Sequence, residues 1–154
     1  MSGVARTLDA TPEQVWQVLS DGWLYPLFVV GASRMREVDD AWPAAGASLH
    51  HSVGAWPALL DDTTSVVRCD PPSLLELRAR AWPAGEAAVT FHLEAVAEGT
   101  RVRVTEDAVS GPGRLVPSPV RRVQLAWRNT ETLRRLAYVV EGRLADPTTG
   151  PTGD

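Results

Sequence analysis

Residues 118–144, SPVRRVQLAWRNTETLRRLAYVVEGRL, decide the fold. Ser118 suits the residue that caps a helix, and Pro119 suits the first helical position, where its missing N–H costs nothing. Beyond Val120, the residues Val123, Ala126, Trp127, Thr130, Leu133, Ala137, Val140 and Leu144 recur at three- and four-residue steps and predict one broad apolar face. Arg121, Arg122, Arg128, Arg135 and Glu131 fall mostly off it. Gly142, or Pro147 at the latest, predicts the stop. About 23 residues at about 1.5 Å each make a rod of about 35 Å. An apolar face of that length needs a large partner, which the preceding chain must supply.

The partner predicted upstream is a strand meander. Between residues 33 and 110, short runs alternate with Pro, Gly and Asp punctuation, giving candidate strands at 33–40, 47–54, 58–69, 74–81, 87–97 and 100–110. In the last two the alternation is clear. Val89, Phe91, Leu93 and Ala95 share one face against Thr90, His92 and Glu94. After a tight turn at Glu98-Gly99, Val102, Val104, Glu106 and Ala108 share a face against Arg101, Arg103, Thr105 and Asp107. Nearer the N-terminus, Val4 to Asp9 is a further strand. Thr11-Pro12-Glu13 then opens a helix with Val15, Trp16, Val18 and Leu19 on one face. A second short helical or irregular stretch runs from Trp23 to Val30. The tetrapeptide Ala-Trp-Pro-Ala occurs at 41–44, 55–58 and 81–84, with unequal spacings that exclude a repeat protein. The class expected is α+β: a seven-stranded antiparallel sheet, two short helices after the first strand, and one long C-terminal helix.

At 154 residues, 44% apolar and 22% charged, the chain reads as one ordinary soluble domain over 1–145. Residues 146–154 have little to bury and read as a disordered tail. A net charge of −4 argues against nucleic acid as a partner. No apolar run reaches the length of a membrane span, and the N-terminus lacks a signal-peptide pattern. With the lone Cys69, this suggests a cytoplasmic protein, monomeric or homodimeric. All basic residues are Arg and none is Lys, which speaks of a GC-rich bacterial genome and not of folding.

Specific stretches carry a resemblance: Thr7 to Trp16; Asp21-Gly22-Trp23 with Val29-Val30-Gly31; Trp42-Pro43 with Gly46 and Leu49 to Gly54; Gly99 to Val102; Ser110 to Gly113; and Arg128 to Leu133. Together they resemble bacterial START-like (SRPBCC) proteins of the polyketide cyclase/dehydrase-like kind, over about residues 4–144. The resemblance implies a helix-grip fold, in which the curved sheet wraps the long helix and leaves an apolar cavity between them. It implies no cofactor, and the family has no universal catalytic motif to transfer.

A simple meander puts the turns around Trp56 and Trp82 at one end of the sheet, with the Gly111 loop and the start of the long helix. The resemblance makes that end the cavity mouth, so Trp56 and Trp82 are candidate rim residues, or plugs of their own turns. Glu106 is expected inward with Val102 and Val104. There it needs a partner such as an Arg, or serves as an acid, a base or a polar anchor. His51, in phase with Leu49 and Val53, is expected inward, with His50 outward. Asn129 flanks the helix's apolar stripe. Trp23, Tyr25 and Phe28 from the short helices, Phe91 from the sheet, and Val123 and Trp127 from the long helix complete the candidate lining. Core packing is an equal account of Tyr25 and Phe28. No metal-ligand cluster, phosphate loop or nucleophile elbow is present in the sequence.

Three functions remain open. One is uptake of a small hydrophobic molecule, such as a lipid, polyketide or aromatic metabolite. Another is cyclase, aromatase or dehydratase chemistry, with Glu106 and His51 as the acid–base pair. The third is a partner-binding protein whose cavity is filled by side chains.

Overall fold

Strand β1 (Ser2–Leu8) opens the chain in the computed structural model, which describes residues 2–29, 32–53, 60–81 and 85–145. Helix α1 (Pro12–Leu19) follows, and its start is locally determined. The Thr11 hydroxyl accepts from the Gln14 N–H at 3.2 Å, and the Gln14 side chain accepts from the Thr11 N–H at 2.8 Å. This reciprocal cap satisfies two otherwise orphaned donors. A 3₁₀ turn (Gly22–Leu24) and the single-turn helix α2 (Tyr25–Phe28) lead to the sheet. The strands β2 (Ala32–Val38), β3 (Ser48–Val53), β4 (Leu60–Asp70), β5 (Leu74–Ala81), β6 (Gly85–Val96) and β7 (Gly99–Ser110) then run as expected. After a second 3₁₀ turn (Pro112–Leu115), α3 runs from Ser118 to Ala145.

All pairings are antiparallel, in the order β1-β7-β6-β5-β4-β3-β2. Register shifts in the β2–β3, β4–β5 and β6–β7 pairings fall at Ala32/Arg34, Met35/Glu37, Val66/Arg68 and Glu86/Ala87. Such irregularities increase local bending, which a sheet wrapped around a helix requires. The concave face carries Leu49, Val66, Leu75, Leu77, Phe91, Val102 and Val104, all buried. Helix α3 covers this face, packing on β1 and β7 and against α1 and α2. No helix among the described residues is long and apolar enough to cross a membrane.

The long helix differs from expectation in two ways. Its 28 residues make a rod of about 42 Å, because Gly142 does not stop it. The helix runs through Gly142 to Ala145, so of the two expected stops it is the later one, before Pro147, that agrees. More importantly, its buried face is rotated. Asn129, Thr132, Leu133, Leu136, Ala137 and Val140 face the interior, whereas Val123 and Trp127 are 70% and 69% exposed. Leu136 and Leu133, each contributing about 2 kcal/mol by burial, hold the sheet side and turn Trp127 to the outside.

Gly99 closes the β6–β7 turn with φ of +138°. A Cβ there would lie 2.2 Å from the Leu8 carbonyl oxygen. One residue on, the buried Thr100 hydroxyl donates to the Ala10 carbonyl at 2.7 Å, tying the turn to the end of β1. Gly99→Ala is expected to cost about 3 kcal/mol, through backbone strain and displacement of this tie. Leu136→Ala is expected to cost about 2–5 kcal/mol through a core cavity. Urea denaturation of both variants checks these values, and a loss below about 1 kcal/mol in either would contradict the packing described.

Candidate functional site

The interior of the grip is not wholly apolar. On β7 the alternation that buries Thr100, Val102 and Val104 also buries Glu106, at 5% exposure. The register sets Glu106 opposite Val89 on one side and Ser2 on the other. A carboxylate there has no water to solvate it and needs a cation. Arg128 of α3 supplies it, with its guanidinium pairing directly with the Glu106 Oε1. Arg128 is part-buried, with 41% of its side chain exposed, so the pair bridges the interior and the surface.

A second polar group lies on the other half of the sheet. Alternation on β3 buries Leu49 and His51, the latter at 4% exposure, and leaves His50 part-exposed. On β4 the same period buries Asp62, Thr64 and Val66. The antiparallel register places His51 opposite Asp62 and Leu49 opposite Thr64. His51 Nε2 and the Thr64 hydroxyl are 2.9 Å apart, in a hydrogen bond whose direction follows the imidazole tautomer. His51 Nδ1 is buried and has no hydrogen-bond partner among the described residues. Burial lowers the His51 pKa, with Asp62 opposing and Arg36 and His50 adding to the lowering. The imidazole is therefore neutral at pH 7.

Tyr25 of α2 joins the two halves. Its ring lies 5.7 Å from that of His51 and 5.8 Å, edge on, from that of Phe28. Burial pushes the Tyr25 phenol up, against the opposing effects of the Thr64 hydroxyl and the Arg128 charge. Burial likewise lowers Arg128, with Tyr25 opposing. The result is a polar belt across the grip, from Glu106 and Arg128 through Tyr25 and Thr64 to His51. Asn129 and Thr132 are buried beside it on α3. Such a belt can hydrogen-bond oxygen atoms of a largely apolar molecule, and it can hold or pass a proton at His51 or Tyr25.

The sequence-expected residues divide accordingly. Glu106, His51, Tyr25 and Asn129 are brought into the interior, and Phe28 and Phe91 are buried in the core. Trp23 is 59% exposed and faces outward. Its backbone N–H donates to the Asp21 side chain at 3.1 Å, capping the 3₁₀ turn, and Leu24 rather than Trp23 packs toward the core. Val123 and Trp127 are largely exposed. They line a hollow of about 550 Å³ at the N-terminal half of α3, together with Gln124, Leu125 and Arg128. Trp56 and Trp82 lie outside the described residues.

Arg128, Thr64 and Asp62 escaped the sequence reading. Arg128 was legible in principle: an inward Glu106 demands a cation, and Arg128 lies one turn from the buried Thr132. The period-2 run of Asp62, Thr64 and Val66 was legible too, but its polar members resemble an outward face.

A family model described as polyketide cyclase/dehydrase and lipid transport matches residues 3–141. No curated protein matches the chain at a significant level. Among similar solved structures, a protein of Nitrosomonas europaea is 15% identical, with 94% of this chain and 96% of that one covered, at a TM-score of 0.73. Ara h 8.0201 is 13% identical, with 91% and 96% covered, at a TM-score of 0.70. DynU16, a protein of the dynemicin biosynthetic locus, is 24% identical, with 92% of this chain and 47% of that one covered, at a TM-score of 0.66. At these identities the structural likeness is one of fold, and it is the helix-grip fold built above. The match over residues 3–141 then places this chain in the polyketide cyclase/dehydrase and lipid-transport family.

Proposed function

We propose that the chain binds a small, mainly hydrophobic molecule bearing at least one oxygen acceptor, held between the sheet and α3 and reached from the hollow beside Trp127. Arg128 carries this reading: it lines the hollow and also pairs with the buried Glu106. The volume, about 550 Å³, is that of a small-molecule site. Val123, Leu125 and Trp127 offer apolar surface, while Arg128, supported by Glu106, offers a fixed donor. Tyr25, His51 and Asn129 lie deeper as further polar contacts. The family's lipid-transport description supports the same class of ligand.

A cyclase or dehydratase acting on a polyketide-like chain is the second reading. One observation favours it: Glu106 and His51, the expected acid–base pair, both face the interior. The pairing of Glu106 with Arg128 counts against it, because a carboxylate held by a guanidinium is a poor proton donor.

Native mass spectrometry of protein purified from its own host is expected to show an apolar molecule released on denaturation. Anilinonaphthalene sulfonate, an aromatic anion, is expected to bind saturably at one site. Arg128→Gln should weaken that binding about tenfold. Unsaturable binding, or unchanged affinity in Arg128→Gln, would sink the ligand reading. Glu106→Gln is expected to cost roughly 2 kcal/mol of stability by leaving Arg128 without its partner, and to weaken binding as well. Unchanged binding with lost turnover in that variant would favour the enzyme.

The polar belt also predicts acid sensitivity. Because burial lowers the His51 pKa, the folded chain binds fewer protons than the unfolded chain below about pH 6.5. The His51 contribution is thus complete at pH 7 and is lost as pH falls from about 6.5 through the folded value. Glu131, held at about 2 by Arg134 and Arg135, adds a separate loss that begins only near the ordinary carboxylate range. Urea titrations across pH should show both phases, and His51→Gln should flatten the upper one alone. A wild-type curve flat between pH 7 and about 5 would refute the neutral, buried imidazole.

A further inference from the structure

The outer face of α3 changes character halfway along its length. Over the C-terminal half, Glu131 pairs with Arg134 at 2.6 Å and with Arg135 at 3.0 Å. The Arg134 guanidinium also lies 5.8 Å from the Tyr138 ring centre, so that exposed aromatic is partly covered by a cation. The N-terminal half has no such cover among the described residues. Val120, Val123 and Trp127 stand out from one side of the rod at helical spacing, and Val120 is 50% exposed. Leu115, on the 3₁₀ turn just before the helix, is 83% exposed.

Charge distinguishes this surface from the rest of the molecule. Residues 111–130 hold Arg114, Arg121, Arg122 and Arg128 and no Asp or Glu, in a chain of net charge −4. Two of these arginines are engaged by the body of the protein. Arg128 meets Glu106. Arg121 pairs with Asp107 at 3.2 Å and donates to the Arg114 and Val116 carbonyls, which fixes the turn against the helix and β7. Arg114 and Arg122 are exposed and form no ion pair among the described residues. An exposed apolar edge therefore stands beside two exposed arginines that form no ion pair among the described residues.

We propose that this edge, Leu115 to Trp127, docks on an anionic lipid surface. Leu115, Val120, Val123 and Trp127 enter the boundary between headgroups and acyl chains, where an indole favours one apolar and one wet side. Arg114 and Arg122 meet headgroup phosphates, for which the guanidinium fork is suited. A second copy of the chain fits less well. A two-fold contact would set Arg114 and Arg122 against the same cationic patch, whereas an anionic surface neutralises both. Docking does not require the ligand reading, although Val123 and Trp127 also line the hollow.

Vesicle co-sedimentation tests this. At about 0.1 M salt the chain is expected to bind vesicles of phosphatidylcholine with about one third phosphatidylglycerol, to bind pure phosphatidylcholine far less, and to be released as salt rises to about 0.5 M. The Leu115→Ser, Val120→Ser double variant changes two exposed side chains outside the hollow. It should keep the wild-type circular dichroism and lose about tenfold or more in vesicle affinity. Arg122→Gln should lose about fivefold. Absence of binding to anionic vesicles, equal binding to neutral ones, or wild-type affinity in both variants would overturn the proposal. So would sedimentation velocity showing a dimer that the double variant dissociates, since the face would then belong to a second copy. Loss of vesicle binding with retained anilinonaphthalene sulfonate binding separates this surface from the ligand site.

Discussion

One carboxylate on the concave side of the sheet governs how the long helix lies on it. Glu106 is buried by the same alternation that buries Val102 and Val104, so it cannot turn outward without turning those out too. Its charge has to be met from across the layer, and α3 is the element lying there. Meeting it with Arg128 brings the Arg128 side of the helix toward the sheet. Trp127, one residue and about 100° away around the helix axis, is then carried to the outside. The buried line through Leu133, Leu136 and Val140 agrees with that rotation. Charge pairing and core packing thus select the same helix phase.

The polar belt explains why this interior is an unusual core. Tyr25, Thr64, His51 and Asn129 lie where a purely structural protein would gain more from Leu or Phe. Polar pairing offsets much of the desolvation cost: Thr64 serves His51, and Arg128 serves Glu106. His51 Nδ1 is left without a partner among the described residues, as are Trp42 Nε1 and Arg78 Nε away from the belt. Departures from core chemistry gathered on one side of one helix, next to a hollow, are what a binding interior requires.

The two halves of α3 have different physical tasks. The C-terminal half is buried on its inner side and covered on its outer side by Glu131, Arg134 and Arg135, so it is complete as a structural element. The N-terminal half meets the polar belt through Arg128 and leaves Val123 and Trp127 uncovered. The exposed side chains of that half are not committed to packing.

Much of the architecture was legible from residues alone. Period-2 alternation in 87–110 gave β6 and β7, Thr11-Pro12-Glu13 gave α1, and the three- and four-residue spacing of 118–144 gave α3, because these signals are local. The inward side of Glu106 and His51 was legible for the same reason: parity along a strand decides it. The phase of α3 was not. Val120, Val123 and Trp127 compete on the sequence with Leu125, Leu133, Leu136 and Val140, and nothing within the helix ranks the two stripes. The partners of the buried polar groups were not legible either, since Arg128, Tyr25 and Thr64 come together only when β4, α2, β7 and α3 close on one another. Periodicity reports which residues share a face; which face is buried, and which charge meets which, depends on contacts far apart in the chain, and those the tertiary structure decided.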